Sequence, residues 1–115
     1  MEIKININKK KQASVSLSGK FNIESVLIFE EKIEWLFEQN IEVMAFNLQK
    51  MSLIDSSGIG SLIKALNTAK NHKIEFILYN VTEQIVSIFK VSFLDKFFII
   101  KNEKDIKKLY PDLKL

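Results

Sequence analysis

Apolar residues recur in this chain with two different periods, and the alternation between those periods constrains the fold more than any other feature. Ile3, Ile5 and Ile7, then Val15 and Leu17, occupy every second position, with Lys9, Lys10 and Lys11 between the two runs. This predicts two strands joined as a hairpin through a solvated turn, closed by Gly19. From Glu24 to Gln39 the spacing widens, with Val26, Phe29, Ile33, Leu36 and Phe37 on one helical stripe and Asn22 placed to cap it. A strand is predicted over Val43 to Leu48. A second helical stripe of Ile59, Leu62, Ile63, Leu66 and Ala69 then ends near Asn71 and His72. Ile74 to Tyr79 reads as a strand, and Ile85, Ile88 and Phe89 as the face of a helix starting near Thr82. Phe97 to Ile100 is predicted as a last strand, followed by a short helix over Asp105 to Leu109 that stops at Pro111. After the hairpin, strand and helix alternate. The expected fold is therefore α/β: one domain over residues 1–115, with a mixed, mostly parallel sheet, an antiparallel N-terminal edge and about four helices.

Several function classes fall away on composition. The longest apolar runs are four or five residues, far below the eighteen or so that span a bilayer, and the N-terminus lacks a signal-peptide pattern. No membrane association is expected. There is no cysteine, hence no disulfide framework and no thiolate nucleophile, and the cytoplasm is the expected location. The net charge is +3, yet all seventeen basic residues are Lys. Without the bidentate fork of Arg, nucleic acid is not an expected partner. Trp35, Phe97 and Phe98 read as packing residues.

Two of the three glycines, Gly58 and Gly60, fall in the short segment Asp55, Ser56, Ser57, Gly58, Ile59, Gly60, Ser61 at the start of the second helix. Asp and Ser there are capping residues, because their short oxygens accept from the unpaired amides of a first turn. A cap does not require glycines, each of which costs about 1 kcal/mol against Ala inside a helix. Bare backbone beside hydroxyls suggests a flat surface that another molecule approaches closely, with amide donors at the positive helix end. Nucleotide motifs fail: the dinucleotide fingerprint would need glycine at position 63, which is Ile63, and the Walker pattern fails where Gly60 is followed by Ser61. The hydrolase elbow is also absent, and the lone His72 lies roughly 20 Å down the helix at 1.5 Å per residue. Neither catalysis nor a zinc site is expected, nor any cofactor. His72 reads as a favourable charge at a helix C-terminus. A serine at an exposed helix start is, however, well placed for a phosphate of charge about −1.5 to −2.

These residues resemble a known family. Leu53, Ile54, Asp55, Ser56, Ser57, Gly58, Ile59, Gly60 is similar to the signature of the anti-sigma-factor antagonists, bacterial members of the STAS domain family. Leu17, Ser18, Gly19, Lys20, Phe21, Asn22 resembles the family's strand end before its first helix. Asn47 and Leu48 match the strand ahead of the signature, and Ile85, Phe89, Leu94 and Ile99 its later helix and strand. The resemblance implies a non-enzymatic, phosphorylation-switched regulator of transcription. Its serine after the aspartate, here Ser56, would be phosphorylated by a partner that is both serine kinase and anti-sigma factor, and a serine phosphatase would reverse the step. The unphosphorylated form would bind that partner and so release a sigma factor. Asn22, Asp55, Ser57, Gly58, Ile59, Gly60 and Ser61 would form the partner-binding surface, on a monomer or weak dimer. The alternative is a constitutive STAS-like adaptor in a transporter or signalling complex, with Ser56 only a cap. Two departures stand out. Asn22 replaces a common aspartate, keeping the capping oxygen but losing a charge, and Phe93 replaces a common glycine, which implies a different adjoining turn.

Overall fold

The computed structural model describes residues 1–115. Strands β1 (Glu2–Ile7) and β2 (Gln12–Phe21) form the expected antiparallel hairpin. Its turn is held by Asn8, whose Oδ1 accepts from the amides of Lys10 and Gln12 at 2.9 and 3.0 Å. Then follow α1 (Ile23–Phe37), β3 (Val43–Asn47), β4 (Met51–Ile54) and α2 (Ser56–Asn71). The chain ends with β5 (Glu75–Tyr79), α3 (Glu83–Val91), β6 (Ile99–Lys101) and α4 (Glu103–Leu109). The sheet order is β1-β2-β3-β5-β6, with β4 pairing β2, and every pair except β1·β2 is parallel. No helix is long and apolar enough to cross a membrane.

Period-two alternation on β3 and β5 sends neighbouring residues to opposite faces. Met44, Phe46, Phe76 and Leu78 join the main core, which also takes the buried stripes of α1, α2 and α3. Ala45, Ile77 and Tyr79 face the other way, beneath Ile106 of α4 and Leu113. Burial pushes the Tyr79 hydroxyl above its ordinary pKa and Glu103 adds to this, while hydrogen bonds with Ser14 and Asn47 pull it back. The Ser14 contact is 3.2 Å.

Three expectations about the fold need correction. Gly19 does not close the hairpin. At φ +94° it sits where β2 shifts register and exchanges partner, leaving β3 for β4, while the strand continues to Phe21. Second, β4 was not visible as a strand, because only Met51 and Ile54 of its four residues are buried. Third, the last strand begins at Ile99. Phe98, ahead of it, is buried against Phe89 and Phe76.

The α3 terminus keeps a geometry that favours glycine although Phe93 occupies it. The amide of Leu94 donates to the Phe89 carbonyl at 2.7 Å and that of Phe93 to Lys90 at 3.1 Å, the two bonds of a Schellman motif. Phe93 itself adopts φ 58°, and 91% of it is exposed. Its ring therefore recovers little of what the left-handed backbone costs. Phe93→Gly is expected to stabilise the domain by about 0.5–1 kcal/mol, somewhat less than the backbone strain because glycine loses more entropy on folding. Thermal denaturation checks this: the melting temperature should rise by a few degrees, and an unchanged value would mean that the ring has a compensating contact.

Candidate functional site

The site is built where two parallel strands end together. Phe21 and Ile54 are the last paired residues of β2 and β4, and the Asp55 amide donates to the Phe21 carbonyl at 3.2 Å. The next residue on each strand caps a helix, so the N-termini of α1 and α2 emerge side by side. This is the carboxyl end of the sheet, where open α/β folds bind their ligands. Asn22 caps α1, its Oδ1 accepting from the Glu24 amide at 3.0 Å. Asp55 caps α2, one carboxylate oxygen accepting from both Ser57 and Gly58 amides at 2.9 and 3.1 Å. Ser25, buried beneath the first cap, donates to the Lys20 carbonyl at 2.7 Å and fixes the strand-to-helix turn.

Ser56 is the first residue of α2, exposed, and its hydroxyl makes no hydrogen bond within the chain. Ser57 is half-buried beside it. Gly60 opens onto solvent, with nothing within 4 Å of where a Cβ would stand. Ile59 is half-buried and leans on the core.

Gly58 and Ser61 lie beneath the face rather than in it. A Cβ on Gly58 would meet the Phe21 carbonyl oxygen at 2.5 Å, so this glycine permits close approach of helix and strand. Ser61 is buried and donates to Glu30 of α1 at 3.3 Å, and Glu30 in turn meets Lys64 at 3.6 Å. The expectation of amide donors at the helix start also needs correction, since Asp55 already occupies the Ser57 and Gly58 amides.

The sequence reading missed the apolar rim. Ile23 and Leu27, one turn apart on α1, are 70% and 69% exposed, and Leu53 of β4 is 39% exposed. Ile23 follows the Asn22 cap directly, and Leu53 lies two residues before Asp55. The available signal was their position off the buried stripe of α1: at 100° per residue, positions 23 and 27 fall on the face opposite Ser25, Phe29 and Ile33. His72 lies at the far end of α2, where its Nδ1 donates to the Thr68 carbonyl at 2.8 Å and its ring stacks on Phe37. No group of three His, Cys, Asp or Glu residues is arranged to hold a metal ion.

The family model described as the STAS domain matches residues 4–114, nearly the whole chain. The chain belongs to the STAS domain family. Among solved structures, this STAS domain is similar to the anti-sigma factor antagonist SpoIIAA in its unphosphorylated form. That match has 18% identity and a TM-score of 0.78, covering 98% of this chain and 100% of the other. The Bacillus cell fate determinant SpoIIAA in its phosphorylated form gives 18% identity and 0.72, over 94% and 98% of the two chains. An anti-sigma factor antagonist from Mycobacterium paratuberculosis gives 15% and 0.82, over 96% and 94%. At these identities the likeness speaks for the fold, which is the mixed sheet with four helices described above.

Proposed function

We propose that this STAS domain is an anti-sigma factor antagonist, a protein-binding regulator switched by phosphorylation of Ser56. The supporting observation is an unbonded, exposed hydroxyl at the capped start of α2, with exposed apolar side chains, Ile23 and Leu27 on α1 and Leu53 on β4, on the two elements whose ends lie beside it. An apolar rim around a polar centre suits a protein partner. That partner is a serine kinase of the anti-sigma type. Asn22, Asp55, Ser57, Ile59 and Gly60 form the contact face around Ser56, supported from below by Gly58 and Ser61. The domain itself performs no chemistry. The kinase transfers the γ-phosphoryl group of ATP to the Ser56 oxygen, which loses its proton, and ADP departs. A serine phosphatase resets the switch.

The switch works by charge, without a change of fold. Because Asp55 already takes the Ser57 and Gly58 amides, a phosphate on Ser56 finds a carboxylate next to it and few donors left. It projects outward as about −1.5 to −2 charges, adding to Asp55, and a docked partner has to desolvate both. Binding to the kinase should then weaken by about ten- to a hundredfold for Ser56→Asp, equal to about 1.4–2.7 kcal/mol. Ser56→Ala should bind as the wild type does and accept no phosphate. The assay is calorimetry against the anti-sigma kinases of the source organism, with phosphate mapped by mass spectrometry. Equal affinity of the two variants rejects the switch. Stable copurification with other subunits, and no phosphate on Ser56, would instead indicate a constitutive adaptor.

A further inference from the structure

The outer edge of β1 carries features of an interface that the Ser56 face does not use. All six residues of β1 pair with β2 in unbroken register, from Glu2 opposite Ser18 to Ile7 opposite Ala13, so the strand is free of bulges. It is the end strand of the sheet, and no element covers its second edge. It contains neither Pro nor Gly. A regular, uncovered edge is a template for another strand. The opposite edge, β6, has only three residues. Beside β1 lies a cleft of about 510 Å³ lined by Ile3, Ile5, Glu31, Lys32 and Trp35. Trp35 is the only tryptophan and is 48% exposed.

We propose that this edge pairs antiparallel with the same edge of a second copy, with Ile3 on the two-fold axis. The sequence of β1 selects both the partner and the register. Its isoleucines face the helices while Glu2, Lys4 and Asn6 face away, and opposed residues in an antiparallel pair share a face. A self-pairing that keeps apolar against apolar therefore requires opposed residue numbers with an even sum. With Lys4 on the axis, two ammonium groups meet, and with Ile5 on the axis Lys4 lies opposite Asn6, so no opposite charges pair. With Ile3 on the axis, Glu2 of each copy lies opposite Lys4 of the other, Ile3 meets Ile3, and Ile5 meets Met1. Glu2 and Lys4 already approach to 3.4 Å within one chain, at 67% and 77% exposure, so pairing yields a ring of four alternating charges. The apolar side chains of the incoming strand enter the cleft beside Trp35. The interface is isologous and closes as a dimer.

Charge exchange tests the register. Sedimentation equilibrium of the wild type should show a concentration-dependent dimer, and Trp35 emission should shift to the blue over the same range. Lys4→Glu and Glu2→Lys should each weaken self-association at least about tenfold, because each sets like charges opposite one another. Mixing those two variants should restore dimers as hetero-pairs, and so should the double exchange E2K/K4E. Both positions are largely exposed, so folding is not at issue. A wild type that stays monomeric at the highest soluble concentration overturns the proposal, as does a dimer indifferent to these exchanges.

Discussion

Gly58→Ala is expected to destabilise the domain by about 2–3 kcal/mol, and Gly60→Ala, one position beyond Ile59 on the same helix, to stabilise it by about 0.5–1 kcal/mol. The opposite signs come from what each new methyl group would meet. At position 58 a Cβ would lie 2.5 Å from the Phe21 carbonyl oxygen, 2.9 Å from the Phe21 ring and 3.0 Å from the Ile54 side chain. The carbonyl cannot easily retreat, since it accepts the Asp55 amide that ties β2 to the start of α2. Helix and strand must separate, and the gain in helix propensity only partly offsets that. At position 60 nothing lies within 4 Å, and the propensity gain stands alone. Urea unfolding of the two variants measures both values. A Gly58→Ala protein as stable as the wild type would show that the helix does not sit this close to β2.

The two glycines also show how much of the site was legible in the sequence. Their cost in a helix was visible from residue type alone, and so was the likeness of the segment to the antagonist signature. The sequence did not separate their causes. For Gly58 the compensating term is internal, a contact with a strand more than thirty residues earlier in the chain, and no local pattern encodes such an approach. For Gly60 no compensating contact exists inside the domain, in keeping with its place in the proposed contact face. The alternating periods predicted the α/β order and the hairpin correctly, because strands buried on one face and helices buried along one stripe display their periods directly. They missed β4, where four residues with two exposed make no period, and they ended β2 too early at Gly19. The exchange of strand partners there depends on tertiary pairing. Asn22 and Asp55 were legible as separate caps, but only the Phe21–Ile54 pairing puts them next to each other.

Phe46→Ala should have the largest effect on stability, a loss of about 3–5 kcal/mol. Six phenylalanine rings form a chain through the core, from Phe21 to Phe29, Phe46, Phe76, Phe98 and Phe89, with centroids 4.7–6.3 Å apart. Phe46 is central, wholly buried, and touches the α1 ring on one side and the β5 ring on the other. Those rings are anchored in a helix and a paired strand, so the cavity left by truncation collapses only in part. A domain of this length has about 6–17 kcal/mol in total, so one ring supplies a large share. The manner of the loss should differ from that of Gly58→Ala. Removing Phe46 weakens the sheet and helix layers together and leaves the Asp55 cap in place, so the Ser57 and Gly58 amides should exchange with solvent only through global unfolding. In the Gly58→Ala protein the position 57 and 58 amides should exchange through a local opening, at a free energy below that of global unfolding. Hydrogen exchange on the two variants distinguishes these cases. If the cap amides of Phe46→Ala exchange below the global free energy, the helix start depends on the distant core, and Ser56 would be held by packing rather than by the Asp55 cap.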